Sequence, residues 1–248
     1  MTRRTLLTLP AAAAALAPHA RAAIDYRNYS RCLPDYLARI AREAAARRAA
    51  ALDACTTAAL VRARHKHVRD SFWSLIGGRP ERTPLNVRTT GSFKRPNYTV
   101  EQIVYESRPG LLIPANLYIP NSSEQRLPGV LFQMGHSLNG KAAALYQYCI
   151  QSLVQLGFVV LAFDPMGQGE RTAYADPETG LTRLRSADSE HTYPGKQLIL
   201  SGDTATRLQV WDSVRSLDVL ASHPRVDAAR LASTGNSGGG TTTMFLTA

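Results

Sequence analysis

The chain has 248 residues, is 44% hydrophobic and carries a formal net charge of +10, which provides for one good core or two small ones and excludes a disordered chain. Arginine supplies 25 of its 29 basic residues, scattered with no basic run interleaved with aromatics, so the charge reads as compositional bias and no nucleic-acid partner is expected. Beyond the N-terminus no stretch of about 18 apolar residues suggests a membrane span.

Residues 1–22 read as an export signal. Arg3-Arg4 precede an apolar run from Leu6 to Leu16, and Ala20-Arg21-Ala22 offers a small-x-small cleavage site before Ala23. The paired arginines point to the twin-arginine route, although ordinary signals also carry two. A periplasmic or secreted protein is expected.

Residues 23–80 form an N-terminal helical segment. Leu33, Leu37 and Ile40, then Leu60, Val61, Val68, Phe72, Trp73 and Ile76, recur at helical spacing and stop at Gly77-Gly78, which predicts two or three helices packed onto something larger. His65 and His67 sit two residues apart and so point to different sides of a helix, against a metal site. Cys32, Cys55 and Cys149 are an odd number in a chain too long to need disulfide staples. Cys149 reads as a small buried hydrophobe, and a Cys32–Cys55 pair stays open.

Residues 81–248 read as an α/β domain. A Pro/Gly/Arg-containing stretch over 78–96 leads to a hairpin, Thr99–Tyr105 and Leu111–Ile119, turned at Arg108-Pro109-Gly110. Gly129–Met134 and Phe158–Phe163 are apolar runs of the kind buried on both faces of a parallel sheet. Between them Ala142–Leu156 predicts a helix with Leu145, Cys149, Leu153 and Leu156 on one face. Residues 165–203 read as a long irregular stretch, a length that is usually functional. Asp203 then caps a helix to His223, with Val210, Trp211, Val214, Leu217 and Ala221 inward, and Pro224 stops it. The order predicts an α/β, mostly parallel sheet.

The last segment carries the chemistry. A short strand, Arg230–Thr234, meets Gly235-Asn236-Ser237-Gly238-Gly239, a G-x-S-x-G elbow in which a tight strand-to-helix turn presents a serine hydroxyl and leaves no room for side chains two residues either side. Ser237 is the candidate nucleophile. The N–H of Gly238 is a candidate donor to an oxyanion.

Three stretches together resemble the α/β-hydrolase superfamily, and within it exported bacterial acetyl xylan esterases and dienelactone-hydrolase-like esterases: Gly135-His136-Ser137, Asp164-Pro165-Met166-Gly167-Gln168-Gly169-Glu170-Arg171, and the elbow. The related cephalosporin-C deacetylases carry Arg-Gly-Gln-Gly and Gly-x-Ser-Gln-Gly-Gly, where this chain has Met166 and Gly238 in place of the arginine and the glutamine. The resemblance covers about 95–248. It implies a serine ester hydrolase, a carbohydrate deacetylase acting on a small-molecule or carbohydrate ester, with no cofactor and no metal. It also implies a second oxyanion donor at His136 or Ser137, with a core histidine as the other reading of His136. Gln168, Arg171 and His191 are candidate substrate-binding residues, against a solvated Glu170–Arg171 pair. In this fold the triad acid and histidine follow the serine, and none follows Ser237, so the chain is expected to be an N-terminal fragment, inactive by itself, that lacks the C-terminal strands. His136 or His191 as an unconventional base is the other route. A non-catalytic carbohydrate-binding product and a serine peptidase-related hydrolase are the alternatives.

Overall fold

The computed structural model describes residues 29–247, and the chain divides into two compact units, Met1–Ala63 and Arg64–Ala248. The export signal read over residues 1–22 lies outside the described residues. No described helix is long and apolar enough to cross a membrane.

The first unit contains α1 (Tyr29–Asp53) and the first turns of α2 (Ala58–Leu75). The spacing of Leu33, Leu37 and Ile40 does make a helix, and α1 by itself buries none of its residues. Its exposed ion pairs, Arg31–Asp35 at 2.7 Å and Arg39–Glu43 at 2.9 Å, lie one helical turn apart and are worth a few tenths of a kcal/mol each. Cys55 and Cys149 are free thiols.

The second unit begins within α2, which ends at Leu75 just before Gly77 (φ +108°) and Gly78 (φ +88°). Phe72 and Trp73 bury there against Trp211 and Phe245. Six strands follow: β1 (Arg88–Lys94), β2 (Tyr98–Arg108), β3 (Leu111–Pro120), β4 (Leu127–Gln133), β5 (Val159–Phe163) and β6 (Val226–Gly235). They form one mixed sheet in the order β1-β2-β3-β5-β4-β6. The pairs β1–β2, β2–β3 and β3–β5 are antiparallel, while β4 runs parallel to both β5 and β6.

Side-chain alternation splits the core into two faces. Leu131, Leu161 and Phe163 join α5 (Ala205–Ser222) on one side through Val219 and Leu220. Val130, Phe132, Val160 and Ala162 join α3 (Ala144–Gln155) on the other through Tyr146, Ile150 and Val154. Of the expected face only Leu153 packs there: Leu145 and Leu156 are exposed and Cys149 lies at the surface, not in the core. An apolar helix of mean composition carries two plausible stripes, and the sheet takes the one headed by Tyr146.

Three further corrections concern the loops. The stretch 78–96 contains β1, an edge strand whose residues are nearly all exposed and which therefore has no apolar alternation to betray it. The stretch 165–203 contains α4 (Ala187–Leu200), capped by the Ser186 side chain accepting from the Ser189 N–H. The helix α5 is capped by Thr204, whose hydroxyl accepts from the Arg207 N–H at 3.0 Å. Asp203 instead accepts from the Thr204 N–H at 2.7 Å and pairs with Arg108 at 3.0 Å.

Candidate active site

The strand β6 lies beside β4 with Leu131 opposite Ser233 and Gln133 opposite Gly235. The chain turns at Asn236 and Ser237 and enters α6 (Gly238–Thr247). Ser237 has φ +51°, a left-handed conformation that costs a non-glycine residue of order 1–3 kcal/mol and persists only where its surroundings enforce it. The enforcement comes from the two flanking glycines. A Cβ on Gly235 would lie 2.5 Å from the Gln133 carbonyl oxygen and 2.7 Å from the Gly239 carbonyl carbon, and one on Gly239 would overlap the same Gln133 carbonyl. The crowding is thus between the elbow and the end of β4. Ser237 is exposed; its carbonyl accepts from the Thr241 N–H at 3.0 Å, while its hydroxyl makes no hydrogen bond among the described residues.

The Gln133 side chain completes the brace. Its amide nitrogen donates to Ser233 at 3.0 Å and Thr243 at 3.2 Å, and its amide oxygen accepts from the Ser213 hydroxyl at 2.6 Å. One buried side chain therefore ties β6, α6 and α5 together behind the serine. No motif singled it out; a polar residue closing an otherwise apolar strand is the signal that marks it.

After β4 the chain runs close along the elbow. A Cβ on Gly135 would meet the Asn236 carbonyl oxygen at 2.8 Å, and the His136 ring lies over Gly238, where a Cβ would be 2.7 Å from its Cε1. His136 Nε2 is 3.3 Å from Asp188 Oδ1, and its ring centroid is 5.0 Å from that of His191. The Ser137 N–H is already taken, donating to Gln168 Oε1 at 2.5 Å. The His136 N–H has no acceptor among the described residues. Gly238 opens α6, so its N–H is one of those a helix cannot pair internally.

The segment after β5 is a second brace. Asp164, 1% exposed, accepts from the Lys141 N–H at 2.7 Å, the Lys141 ammonium at 2.6 Å and the Glu170 N–H at 3.0 Å. Gly169 (φ +56°) leaves room for this carboxylate: a Cβ there would sit 2.5 Å from it. Burial alone would push the Lys141 ammonium down, but the Asp164 and Glu170 carboxylates outweigh it and hold its pKa above the usual lysine value. Arg171 is not half of a solvated pair with Glu170. It donates to Asp212 Oδ2 at 2.8 Å and to the Asp164 carbonyl at 3.1 Å with its side chain only 7% exposed, and Glu170 pairs with Lys141. Arg171 and Gln168 thus join loop to loop.

Beside the elbow lies a cavity of about 180 Å³ whose walls include Gly238, His136, His191, Gln209 and Asp212. His191 Nδ1 is 3.2 Å from the Gln209 amide nitrogen. Burial, then the neighbouring His136, holds the His191 pKa below the usual histidine value. The structure therefore brings Ser237, Gly238, His136, Gln168 and His191 to the carboxyl ends of β4, β5 and β6, where open α/β sheets place their ligand sites. Ser137 is adjacent with its amide occupied. Sequence reading missed Lys141, Asp164, Asp188, Gln209 and Asp212, whose roles appear only once distant loops meet.

The sequence profile described as Acetyl xylan esterase (AXE1) matches residues 64–248. The chain belongs to the acetyl xylan esterase family. YtaP of Bacillus subtilis (strain 168), named only as a candidate hydrolase, is 26% identical over 182 residues, which is 69% of this chain and 56% of YtaP. A solved structure from Bacteroides fragilis NCTC 9343, described as a candidate acetyl xylan esterase, superposes with a TM-score of 0.62 at 17% identity over 75% of this chain and 50% of that one. Acetyl Xylan Esterase 1 from Thermoanaerobacterium sp. JW/SL YS485 gives 0.54 at 19% identity over 72% and 53%. These structures share the fold. The chain spans about half the length of the relatives it matches.

Proposed function

We propose that this acetyl xylan esterase family chain carries the nucleophile and the oxyanion site of a serine ester hydrolase acting on carbohydrate esters with short acyl groups. The observation that carries the reading is Ser237, held at φ +51° on an exposed turn between β6 and α6 with its hydroxyl unpaired. Ser237 Oγ attacks the ester carbonyl carbon, its proton passing to a general base and the carbonyl π pair moving onto oxygen. The resulting oxyanion is held by the N–H groups of Gly238 and His136, each such donor being worth about 3–4 kcal/mol. Of the two sequence candidates for the second donor His136 is preferred, because the Ser137 N–H is held by Gln168. Arg171 supports these loops, while Gln168, which also holds the Ser137 N–H, lines the cavity with His136 and His191. Export from the cytoplasm, argued from residues 1–22, belongs to the same reading.

The test is hydrolysis of 4-nitrophenyl acetate by the whole protein with and without Ser237→Ala. Turnover is expected to fall by on the order of 10³-fold or more and to be unaffected by a chelator. Unchanged turnover in Ser237→Ala removes the proposal.

A further inference from the structure

The cavity beside the elbow is well beyond the ~30 Å³ that one water fills in the liquid, and two buried polar groups on its wall have no partner: Asp212 Oδ1 and His191 Nε2. Asp212 is 1% exposed, and only its other oxygen is used, by Arg171. An ionised carboxylate can only accept. The His191 ring is held at Nδ1 by the Gln209 amide and also meets the Met166 backbone, while Nε2 has no partner within hydrogen-bond distance. The cavity therefore offers one bare acceptor, Asp212 Oδ1, and one bare imidazole nitrogen, with which a hydroxyl pairs in either tautomer. Buried groups of this kind are nearly always satisfied by protein, water or ligand. A hydroxyl group both donates and accepts; the methyl of an acetate does neither and leaves most of the space empty.

The position of the cavity says which part of a substrate enters it. Its wall includes Gly238 and His136, the two residues whose N–H groups are read as the oxyanion donors, so a carbonyl held there has one of its substituents pointing in. A sugar in a polymer cannot follow into a space this small. A short acyl chain can.

We propose that this cavity is an acyl-binding site that selects short acyl groups carrying a hydroxyl, held between Asp212 and His191. The word acyl rests on the reading of Ser237 as nucleophile; the preference for a hydroxyl does not.

The experiment measures binding of product-like acids to the purified chain by calorimetric titration. The probes are 3-hydroxybutyrate, its methyl isostere 3-methylbutyrate, and acetate. The expected result is at least ~10-fold tighter binding of 3-hydroxybutyrate than of either other acid, with the preference lost in His191→Phe, which keeps the ring's shape. All binding should be lost in Thr242→Trp, which fills the cavity from its wall. Where His191→Phe does not fold, Gln209→Met is read instead, because it removes the amide that orients the His191 ring and should erode the same preference. Equal binding of the two isosteres, a preference that survives His191→Phe, or no binding of any acid, the cavity then being a water site, each overturns the proposal. Fluorophosphonate labelling of the whole protein separates the two readings: a retained hydroxyl preference without labelling at Ser237 there sinks the nucleophile and upholds the cavity.

Discussion

The Cα of Gly239 in α6 sits so close to the carbonyl of Gln133 in β4 that a side chain on the glycine would overlap it. The obstacle is backbone at the end of a central strand, which cannot rotate away as a side chain would. Gly239→Ala is therefore expected to cost on the order of 3 kcal/mol, the range of overpacked core positions, and to displace Ser237. Gly195→Ala, within α4, meets nothing closer than 3.7 Å and should be stabilising by about 0.5–1 kcal/mol through helix propensity. Urea midpoints of the two variants check the contrast, and equal midpoints would show that the elbow is looser than the structure has it.

How much of this was legible follows from what each signal depends on. The strands β4 and β5 and the elbow were readable because burial on both faces and a tight turn leave marks in consecutive residues: an apolar run, and glycines at fixed offsets. The strand β1 left none, since Arg88–Lys94 is exposed along nearly its whole length. On α3 the period was right and the face wrong, because Leu145, Cys149 and Leu156 are as apolar as Tyr146, Ile150 and Val154, and only the sheet chooses between them. The ion pairs Arg171–Asp212 and Lys141–Asp164 join residues 41 and 23 positions apart. Nothing local encodes such a pairing.

The Lys141–Asp164 pair gives a second prediction. Both side chains are almost wholly buried, at 9% and 1% exposure, and breaking a buried pair leaves the other charge uncompensated at a cost of about 3–5 kcal/mol. Lys141→Met strips Asp164 of its counter-ion and should destabilise by that order. The double variant Lys141→Met/Asp164→Leu should recover part of the loss, as replacing both charges does elsewhere. Chemical denaturation of the three proteins decides it: a double variant no better than the single one would mean that the three hydrogen bonds to Asp164 matter more than its charge.

The buried histidine gives a pH dependence. Because the folded-state pKa of His191 is depressed, the folded chain resists a proton that the unfolded chain accepts below about pH 6.5. Unfolding then takes up a proton, and stability falls as pH drops through that value, the loss ceasing to grow below the folded-state pKa. His223, whose pKa is also lowered, first by burial and then by Arg225 against the opposing Glu101, adds in the same direction. Melting temperatures should therefore decline between pH 7.5 and 5.5, and less steeply in His191→Gln. A decline of equal slope in that variant would place the sensitivity elsewhere.

The outer edge of β6 gives the last prediction. Among the described residues this strand pairs with β4 alone, and Ala228, Ala229, Arg230, Ala232 and Thr234 along it are exposed. An exposed strand edge presents unpaired N–H and C=O groups to any other chain, and natural proteins blunt such edges with lysine, proline or bulges. Here the register with β4 slips between Asp227 and Leu231, so a bulge over residues 228–230 blunts one end, but the stretch from Leu231 to Gly235 carries no charge and no proline. The chain is therefore expected to self-associate through β6 in a concentration-dependent way. Ala232→Lys and Thr234→Lys together place two charges along the edge and should shift association to higher concentration, while Leu145→Lys, on the exposed side of α3, should leave it unchanged. Sedimentation velocity over a range of concentrations reads the difference, and association suppressed by Leu145→Lys rather than by the β6 pair would move the interface to α3.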